Sequence, residues 1–187
     1  RQTSDEASAA MLGRIAQRVD RASHTVGQLL TMARVDPDAP LPRQEVELRA
    51  LLVEVLAETA HLAADRHLQV DLEPGVEMLV AGSQEALAIA LRNLLVNAFR
   101  YASDDSTVRI VLDPNRGLEI CNACAPLSQA EFARICDRFY RVPGSRGLGA
   151  GLGLSIVSRI AQQHEAEFSV GPAADGAGFC ARLRFVV

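Results

Sequence analysis

The chain has 187 residues, of which 49% are apolar, and a formal net charge of −4 at pH 7. This size and composition permit one buried core with a helical extension, and the acidic balance does not predict binding to nucleic acid or to an anionic membrane. All nineteen basic residues are arginine. The lack of lysine excludes a Walker A loop, a protein-kinase β-strand lysine and Schiff-base chemistry.

The first segment is predicted to be a helix that packs lengthwise on other helices. Apolar residues between Leu12 and Ala33 recur at alternating steps of three and four, which is a heptad pattern. One helix cannot bury such a seam, so a preceding helix, a second copy of the chain, or both must cover it. The polar start at Arg1 to Ser8 lacks a signal-peptide core, and no apolar run approaches a membrane span. We therefore expect the chain as given to be soluble.

Three prolines lie between Asp36 and Pro42, directly after that helix. Each proline removes a backbone donor and disfavours helical geometry in the residue before it, so the helix is expected to end there. We predict a helical unit at residues 1–36, a linker at 37–43 and a globular domain at 44–187. A surface loop within a single domain is the alternative.

The remaining sequence contains strand and helix patterns in mixed order. Ser83 is predicted to cap a long helix, and Ser128 with Glu131 forms a capping-box pattern. The mixed order predicts a two-layer α/β sandwich with helices on one face of the sheet. The predicted strands span residues 45–48, 67–72, 78–80, 108–112, 118–121, 167–170 and 179–186, and the predicted helices span residues 51–64, 84–98, 129–139 and 152–164.

The four cysteines could form a metal site or disulfides. Cys121 and Cys124 form one C-x-x-C pair, with neither a second pair nor a histidine at ligand spacing. Cys121, Cys136 and Cys180 lie among apolar residues, where a free cysteine packs as a small hydrophobic side chain. We therefore expect buried thiols, with no zinc site and no redox pair.

The long helix after Ser83 carries a polar stripe. Asn93, Asn97 and Arg100 lie at positions i, i+4 and i+7 on one face of an otherwise apolar helix. Two carboxamide oxygens one turn apart suit Mg²⁺, and an arginine one turn later suits phosphate. The alternative is that the three residues simply face solvent.

Five glycines lie between Gly144 and Gly153, immediately before the helix that begins near Leu154. Glycines let backbone N–H groups approach an anion at a helix N-terminus, so the segment is a candidate phosphate-binding loop. Its spacing is not G-x-G-x-x-G, and it follows a helix, which argues against a dinucleotide-binding fold. A flexible linker is the alternative.

Three segments together resemble the sequence boxes of bacterial sensor histidine kinases. Residues 93–102 resemble the asparagine box, residues 137–141 the phenylalanine box, and residues 149–157 the second glycine box, in the same order and spacing. Residues 20–36 resemble the second helix of the dimerisation and histidine-phosphotransfer hairpin. The resemblance covers nearly the whole chain. It is greatest to the membrane sensor kinases that pair with winged-helix response regulators.

This resemblance implies the ATP-binding fold of histidine kinases and Hsp90, preceded by a coiled-coil-like helix, and a protein-histidine kinase that uses ATP and Mg²⁺. The catalytic set would be Asn93, Asn97 and Arg100, with both asparagines as metal ligands. Phe139 and Tyr140 would anchor a short mobile lid, although ordinary core packing is the alternative for these two rings. The nucleotide-binding residues would be Asn93, Asn97, Arg100, Tyr101, Asn122, Leu127, Phe139, Gly149, Gly151, Leu152, Gly153 and Leu154.

The first glycine box departs from the family pattern. Where the family has Asp-x-Gly-x-Gly, this chain has Asn122, Cys124 and Pro126. Asn122 could still accept a hydrogen bond from the adenine amino group, but without charge. Side chains in place of glycines would reshape the pocket floor. The alternative function is therefore a pseudokinase or scaffold that dimerises and docks a regulator without using ATP.

None of the four histidines has the sequence context of the family's phosphoacceptor. The chain is therefore expected to bind nucleotide and to transfer the γ-phosphoryl group to a histidine upstream of Arg1, from which it passes to a response-regulator aspartate. A related ATPase or anti-sigma serine kinase is a third hypothesis, which the upstream heptad helix disfavours.

The resemblance also implies the partners and the location. The expected partners are a response-regulator receiver domain and a second copy of the chain, joined through the N-terminal helix. Nucleic acid is not expected, and membrane contact is expected only through segments upstream of Arg1. The chain would then be a cytoplasmic fragment of a protein anchored in the bacterial inner membrane.

Overall fold

The computed structural model describes residues 43–75, 77–113, 117–145, 149–174, 176 and 178–185. The helix predicted over residues 1–36 and the linker predicted over residues 37–43, apart from Arg43, lie outside the described residues. The division into three units therefore stays a prediction.

The described chain contains seven strands and four helices. The strands are β1 (Gln44–Glu47), β2 (Gln69–Leu72), β3 (Leu79–Gly82), β4 (Thr107–Asp113), β5 (Gly117–Asn122), β6 (Glu167–Gly171) and β7 (Phe179–Arg184), and the helices are α1 (Leu48–Ala64), α2 (Gln84–Tyr101), α3 (Gln129–Arg134) and α4 (Gly153–Gln163).

Five strands form a mixed sheet in the order β2-β4-β5-β7-β6, and β1 pairs with β3 in a separate two-stranded sheet. Within the large sheet β2 runs parallel to β4, and the other neighbours are antiparallel. Side chains of a strand alternate between faces, so Val108, Ile110 and Leu112 of β4 are buried. They join a core that includes the apolar faces of α1, α2 and α4. The predicted two-layer α/β sandwich is confirmed.

Side-chain caps fix where the two long helices begin. The Glu47 carboxylate accepts hydrogen bonds from the backbone N–H groups of Arg49 and Ala50, and from the N–H of Met78 at 3.0 Å. Burial raises the pKa of Glu47, but the three hydrogen bonds, that from Met78 foremost, outweigh it and lower the pKa. Helix α1 therefore begins at Leu48, three residues earlier than predicted. Ser83 Oγ accepts from the N–H of Ala86, 3.3 Å away, so the predicted cap of α2 is confirmed.

Helix α3 is shorter than its sequence predicted. The capping box at Ser128 and Glu131 is present, but the helix ends at Arg134, not at Phe139. Turn hydrogen bonds from Asp137 to Arg134 and from Tyr140 to Asp137 replace the helical pattern. Phe139 has a left-handed φ of 64°, which no continuing right-handed helix can contain.

The expectation of four free thiols is wrong for two of the cysteines. Cys121 of β5 and Cys180 of β7 are direct neighbours in the sheet register and form a disulfide. Cys124 and Cys136 are free, and burial raises the pKa of both thiols. No helix in the described ranges is long and apolar enough to cross a membrane.

A buried histidine joins the end of α4 to the start of α2. His164 Nε2 accepts from the backbone N–H of Ser83 at 3.0 Å, so Nδ1 carries the proton that bonds the carbonyl of Ile160 at 2.8 Å. A Cβ at Gly82 would lie 2.4 Å from the imidazole, so only glycine leaves room for the ring. Burial lowers the pKa of His164, with a further contribution from the positive charge of Arg43.

We expect stability to fall when the pH drops below the ordinary histidine pKa of 6.5. The unfolded chain takes up a proton that the folded chain resists, because protonation removes the acceptor for Ser83 N–H. The contribution is complete above pH 6.5 and declines as the pH falls toward the lowered pKa. Urea unfolding of the wild type and of His164→Gln between pH 8 and pH 5 checks this. The free energy of unfolding of the variant should be about 1–2 kcal/mol lower than that of the wild type at pH 8, and it should depend less on pH. Exposed His61→Gln is the control, and an unchanged pH profile in His164→Gln would contradict the expectation.

Candidate functional site

A cleft of about 990 Å³ lies at the C-terminal half of α2. One wall is α2 from Ile89 to Tyr101, and the facing wall is residues 149–154, which lead into α4. Residues 124–127 after β5 and residues 140–145 after α3 close two further sides. The cleft therefore brings together three segments that were identified from the sequence. These are the asparagine stripe of α2, the first glycine box near residues 124–127, and the glycine loop before α4.

The polar stripe of α2 faces this cleft rather than bulk solvent. Asn93, Asn97, Arg100 and Tyr101 all line it. Asn93 Nδ2 donates to the carbonyl of Ile89 at 2.8 Å. Its Oδ1 lies 3.1 Å from the position that a Cβ on residue 153 would occupy. The asparagine oxygen thus points across the cleft at the start of α4.

Two glycines permit close approach of the loop to neighbouring groups. A Cβ on Gly149 would lie 3.1 Å from the Arg100 guanidinium. Gly151 has φ of 72°, and a Cβ there would lie 2.6 Å from the carbonyl oxygen of Tyr140. Residue 151 therefore requires glycine both for its backbone conformation and for its contact with residues 139 and 140.

The contact between the glycine loop and the phenylalanine box is made by the backbone. Phe139 N–H donates to the carbonyl of Gly151 at 2.9 Å, while Phe139 as a whole residue is 65% exposed. Core packing of Phe139, the alternative left open above, is therefore wrong. The Arg134 guanidinium lies 4.5 Å from the centre of the Tyr140 ring, which adds a cation–π contact beside the cleft.

Helix α4 points its N-terminus into the cleft. Gly153 and Leu154 line the cleft, and the N-cap residue Leu152 provides no side-chain cap. The first N–H groups of a helix have no intrahelical partner and carry partial positive charge. An anion in the cleft can accept hydrogen bonds from them.

The charged side chains of the cleft are mostly cationic. Arg92 pairs with Glu58 on α1, and Glu131 is bound to Ser128, which lowers its pKa. The lining contains four arginines and two acidic residues, namely Arg66, Arg92, Arg100, Arg141, Asp104 and Glu131. This excess of positive charge favours an anionic ligand in a protein whose net charge is negative.

Arg66 connects three segments at one end of the cleft. Its Nη1 donates to the carbonyl oxygens of Phe99 at 3.0 Å and Arg100 at 2.6 Å, at the end of α2. Its Nε donates to Asp104 at 3.0 Å in the loop after α2. Arg66 itself lies in the turn after α1. A single guanidinium therefore caps the helix whose last turn carries Arg100 and Tyr101.

We expect Arg66→Ala to reduce the free energy of unfolding by about 2 kcal/mol, because two helix-end carbonyls lose a charged donor. Nucleotide affinity should fall as the last turn of α2 loosens. Asp104→Asn is the matched control, since it removes the charge of the exposed partner of Arg66 and leaves both carbonyl contacts in place. It should cost under about 1 kcal/mol. Urea unfolding measures both variants, and equal losses in the two would contradict the role of the carbonyl contacts.

The structure brings together ten of the twelve residues predicted to bind nucleotide. The ten that line the cleft are Asn93, Asn97, Arg100, Tyr101, Leu127, Gly149, Gly151, Leu152, Gly153 and Leu154. Phe139 contributes through its backbone only. Asn122 lies behind the lining, 3% exposed, with Nδ2 bonded to the carbonyl of Ala123 at 3.3 Å. Its Oδ1 is buried without a hydrogen-bond partner among the described residues.

Several lining residues were not predicted from the sequence. Arg66, Ile89, Ile135 and Phe179 line the cleft but belong to no motif. Phe179 opens β7, and its ring stacks on Phe132 of α3 with ring centres 6.2 Å apart. Only the pairing of β7 beside β5 places Phe179 near the cleft, so the sequence offered no signal for it.

Comparison with known proteins shows which family this chain belongs to. Residues 82–187 match the family described as histidine kinase-, DNA gyrase B- and HSP90-like ATPase. This match covers more than half of the chain. Together with the fold and the cleft, it defines a nucleotide-binding domain. The chain belongs to this ATPase family, whose domain binds ATP.

Its relatives within that family include sensor kinases. The sensor protein QseC of Escherichia coli O157:H7 is 37% identical over 167 residues, and the sensor protein kinase PmrB of Pseudomonas aeruginosa is 34% identical over 179 residues. These matches cover 88% and 92% of this chain but 37% of each relative. The chain therefore spans little more than a third of the length of these relatives.

Solved structures agree with this placement. The cytoplasmic segment of histidine kinase QseC superposes with a TM-score of 0.63 at 28% identity, covering 90% of this chain and 94% of that one. The mycobacterial sensor histidine kinase MprB shares the fold, with a TM-score of 0.65 at 22% identity over 75% of this chain and 95% of that one.

Proposed function

We propose that this chain is the ATP-binding catalytic region of a sensor histidine kinase, which transfers the γ-phosphoryl group of ATP to a histidine on a helical hairpin. The observation that carries this proposal is the arrangement of Asn93, Arg100 and the start of α4 around one cleft. The asparagine oxygen and the arginine both lie beside the glycine loop, at 3.1 Å from the Cβ positions of Gly153 and Gly149.

The phosphates of ATP would lie between α2 and α4. The free N–H groups at the start of α4 would donate to phosphate oxygens, and Arg100 would neutralise part of their charge. The two asparagine side chains supply hard oxygen donors that fit Mg²⁺ together with phosphate oxygens. Asn93 and Asn97 would hold that ion, which when bound neutralises phosphate charge. Rate acceleration would then rest on positioning and charge neutralisation.

The base of the nucleotide would pack on the apolar part of the lining. Leu127, Ile135, Leu154 and Phe179 supply this surface. Asn122 lies in the next layer, and its unpartnered buried Oδ1 could receive a hydrogen bond from an exocyclic amino group after a small shift of the pocket floor. Cys124 and Pro126 line the cleft where the related boxes carry glycine.

The wider context of the proposal follows the named relatives. A sensor kinase would receive its signal through segments outside this chain, act as a dimer through the helix predicted at residues 1–36, and pass the phosphoryl group to a response-regulator receiver domain. By analogy with the cytoplasmic segment of QseC, this region would lie in the cytoplasm, and the complete protein would be anchored in the bacterial inner membrane.

Incubation of the full-length protein with radiolabelled ATP and Mg²⁺ tests the proposal. The expected product is a phosphohistidine, which is labile to acid and stable to alkali, and the Asn97→Ala variant should form none. Binding of ATP without any phosphohistidine would contradict kinase activity while leaving the cleft a nucleotide site. Loss of both binding and transfer in a folded protein would favour the pseudokinase alternative.

A further inference from the structure

The Cys121–Cys180 disulfide lies at the end of the sheet ladder that borders the cleft. The pairing of β5 with β7 runs from Leu118 opposite Leu183 to Asn122 opposite Phe179, and the disulfide joins the pair immediately before this last one. Phe179 lines the cleft. The two sulfurs are therefore one register position away from a cleft residue.

We infer that Cys121 and Cys180 form a reversible redox site whose disulfide clamps this ladder end and thereby tightens nucleotide binding. The inference rests on the proposed function for its consequence. Terminal pairs of a ladder open most easily, because they have hydrogen-bonded neighbours on one side only. A covalent bond at the penultimate pair restrains Asn122 and Phe179 far more than a bond in mid-strand would.

The sheet itself makes the bond reversible without unfolding. Backbone pairing of Glu119 with Arg182 and of Ile120 with Ala181 holds the two strands in register on one side of the cysteines. The Glu119–Arg182 ion pair crosses the same strands. Reduced thiols would therefore stay adjacent and ready to join again.

The exposure of the two cysteine residues indicates the order of events. Cys121 is partly exposed on the sheet face opposite the helices, whereas Cys180 is fully buried. The Cys121 thiolate attacks a small-molecule disulfide such as oxidised glutathione and releases one thiolate. The Cys180 sulfur then attacks the Cys121 sulfur, and the Cys180 proton passes to the second small thiolate as that thiolate leaves Cys121. One small disulfide is consumed and two small thiols form, so two electrons leave the protein.

In the cytoplasm, the proposed location of this region, a reversible disulfide could serve redox sensing. Disulfides in a reducing cytoplasm are usually transient and serve catalysis or redox sensing. A pair that follows the thiol–disulfide balance would add a second input to a kinase, acting directly at its nucleotide cleft.

The test compares the chain in oxidised glutathione with the chain in a phosphine reductant. Thiol titration after denaturation should count two thiols in the oxidised form and four in the reduced form, because Cys124 and Cys136 are free. Hydrogen exchange of the amides at 121–122 and 179–180 should be faster after reduction. The dissociation constant for Mg-ADP should rise about threefold, as the binding-competent ladder end becomes only partly populated.

Matched variants separate the clamp from general thiol effects. Under both conditions Cys121→Ser should show the exchange rates and the nucleotide affinity of the reduced wild type. Cys136→Ser should respond to oxidation and reduction as the wild type does. A count of four thiols per chain under both conditions would overturn the inference. So would counts of two and four thiols if the exchange rates and the nucleotide affinity were the same in the two forms. A redox-dependent exchange rate without nucleotide binding in either state would support the clamp and contradict the proposed function instead.

Discussion

Replacing Gly151 with alanine is expected to destabilise the domain by about 3 kcal/mol and to weaken nucleotide binding more than tenfold. The added Cβ would lie 2.6 Å from the Tyr140 carbonyl oxygen and 2.8 Å from the Phe139 carbonyl carbon. Both neighbours are backbone atoms, so they cannot turn aside as a flexible side chain would. Steric overlap of this kind adds to the cost of a left-handed φ for alanine. The loop that leads into α4 must then leave its place beside the phenylalanine box.

Gly144 provides the matched control for this substitution. Its φ of 76° is also left-handed, but a Cβ there would meet nothing within 4 Å. Gly144→Ala should therefore lose only the conformational part, about 1 kcal/mol. Urea unfolding and titration with Mg-ADP measure both variants. Similar losses at the two positions would show that the contact between residue 151 and the phenylalanine box contributes little.

Reduction of the Cys121–Cys180 disulfide is expected to lower the free energy of unfolding by about 4 kcal/mol. The bond joins residues 59 positions apart, and a cross-link of this span removes that much conformational freedom from the unfolded chain. The domain should remain folded in reductant, because total stabilities of small domains usually exceed this loss. Urea unfolding with and without reductant measures the difference, with the thiol count as the check on redox state. Equal unfolding free energies for forms with two and four thiols would contradict it.

Local signals predicted most of the fold. The Ser83 cap and the apolar spacing of α2 define that helix, and the capping box at Ser128 defines the start of α3. Such signals act between residues a few positions apart, so they can be recognised in the sequence. The sequence pattern predicts too long a helix α3, because apolar residues continue to Phe139. In the structure the turn at Asp137 and the hydrogen bond from Phe139 N–H to Gly151 end the helix at Arg134.

Contacts between distant segments could not be predicted in the same way. The Cys121–Cys180 bond requires the register of β5 against β7, and the capping of α2 by Arg66 requires the turn after α1 to lie at the helix end. No sequence spacing or motif indicates either of these two contacts. The polar stripe and the glycine loop were found because each carries its chemistry within ten residues, whereas Phe179 reaches the cleft only through sheet pairing.

The asparagine stripe of α2 and the start of α4 are proposed to form one Mg-nucleotide site. Calorimetric titration of this chain with ADP, with and without Mg²⁺, tests it most directly when wild type and Asn97→Ala are compared. We expect micromolar binding that depends on Mg²⁺ and is lost in a folded Asn97→Ala protein. Binding that is unaffected by Mg²⁺ and by the substitution, or no binding to a folded wild type, would contradict it.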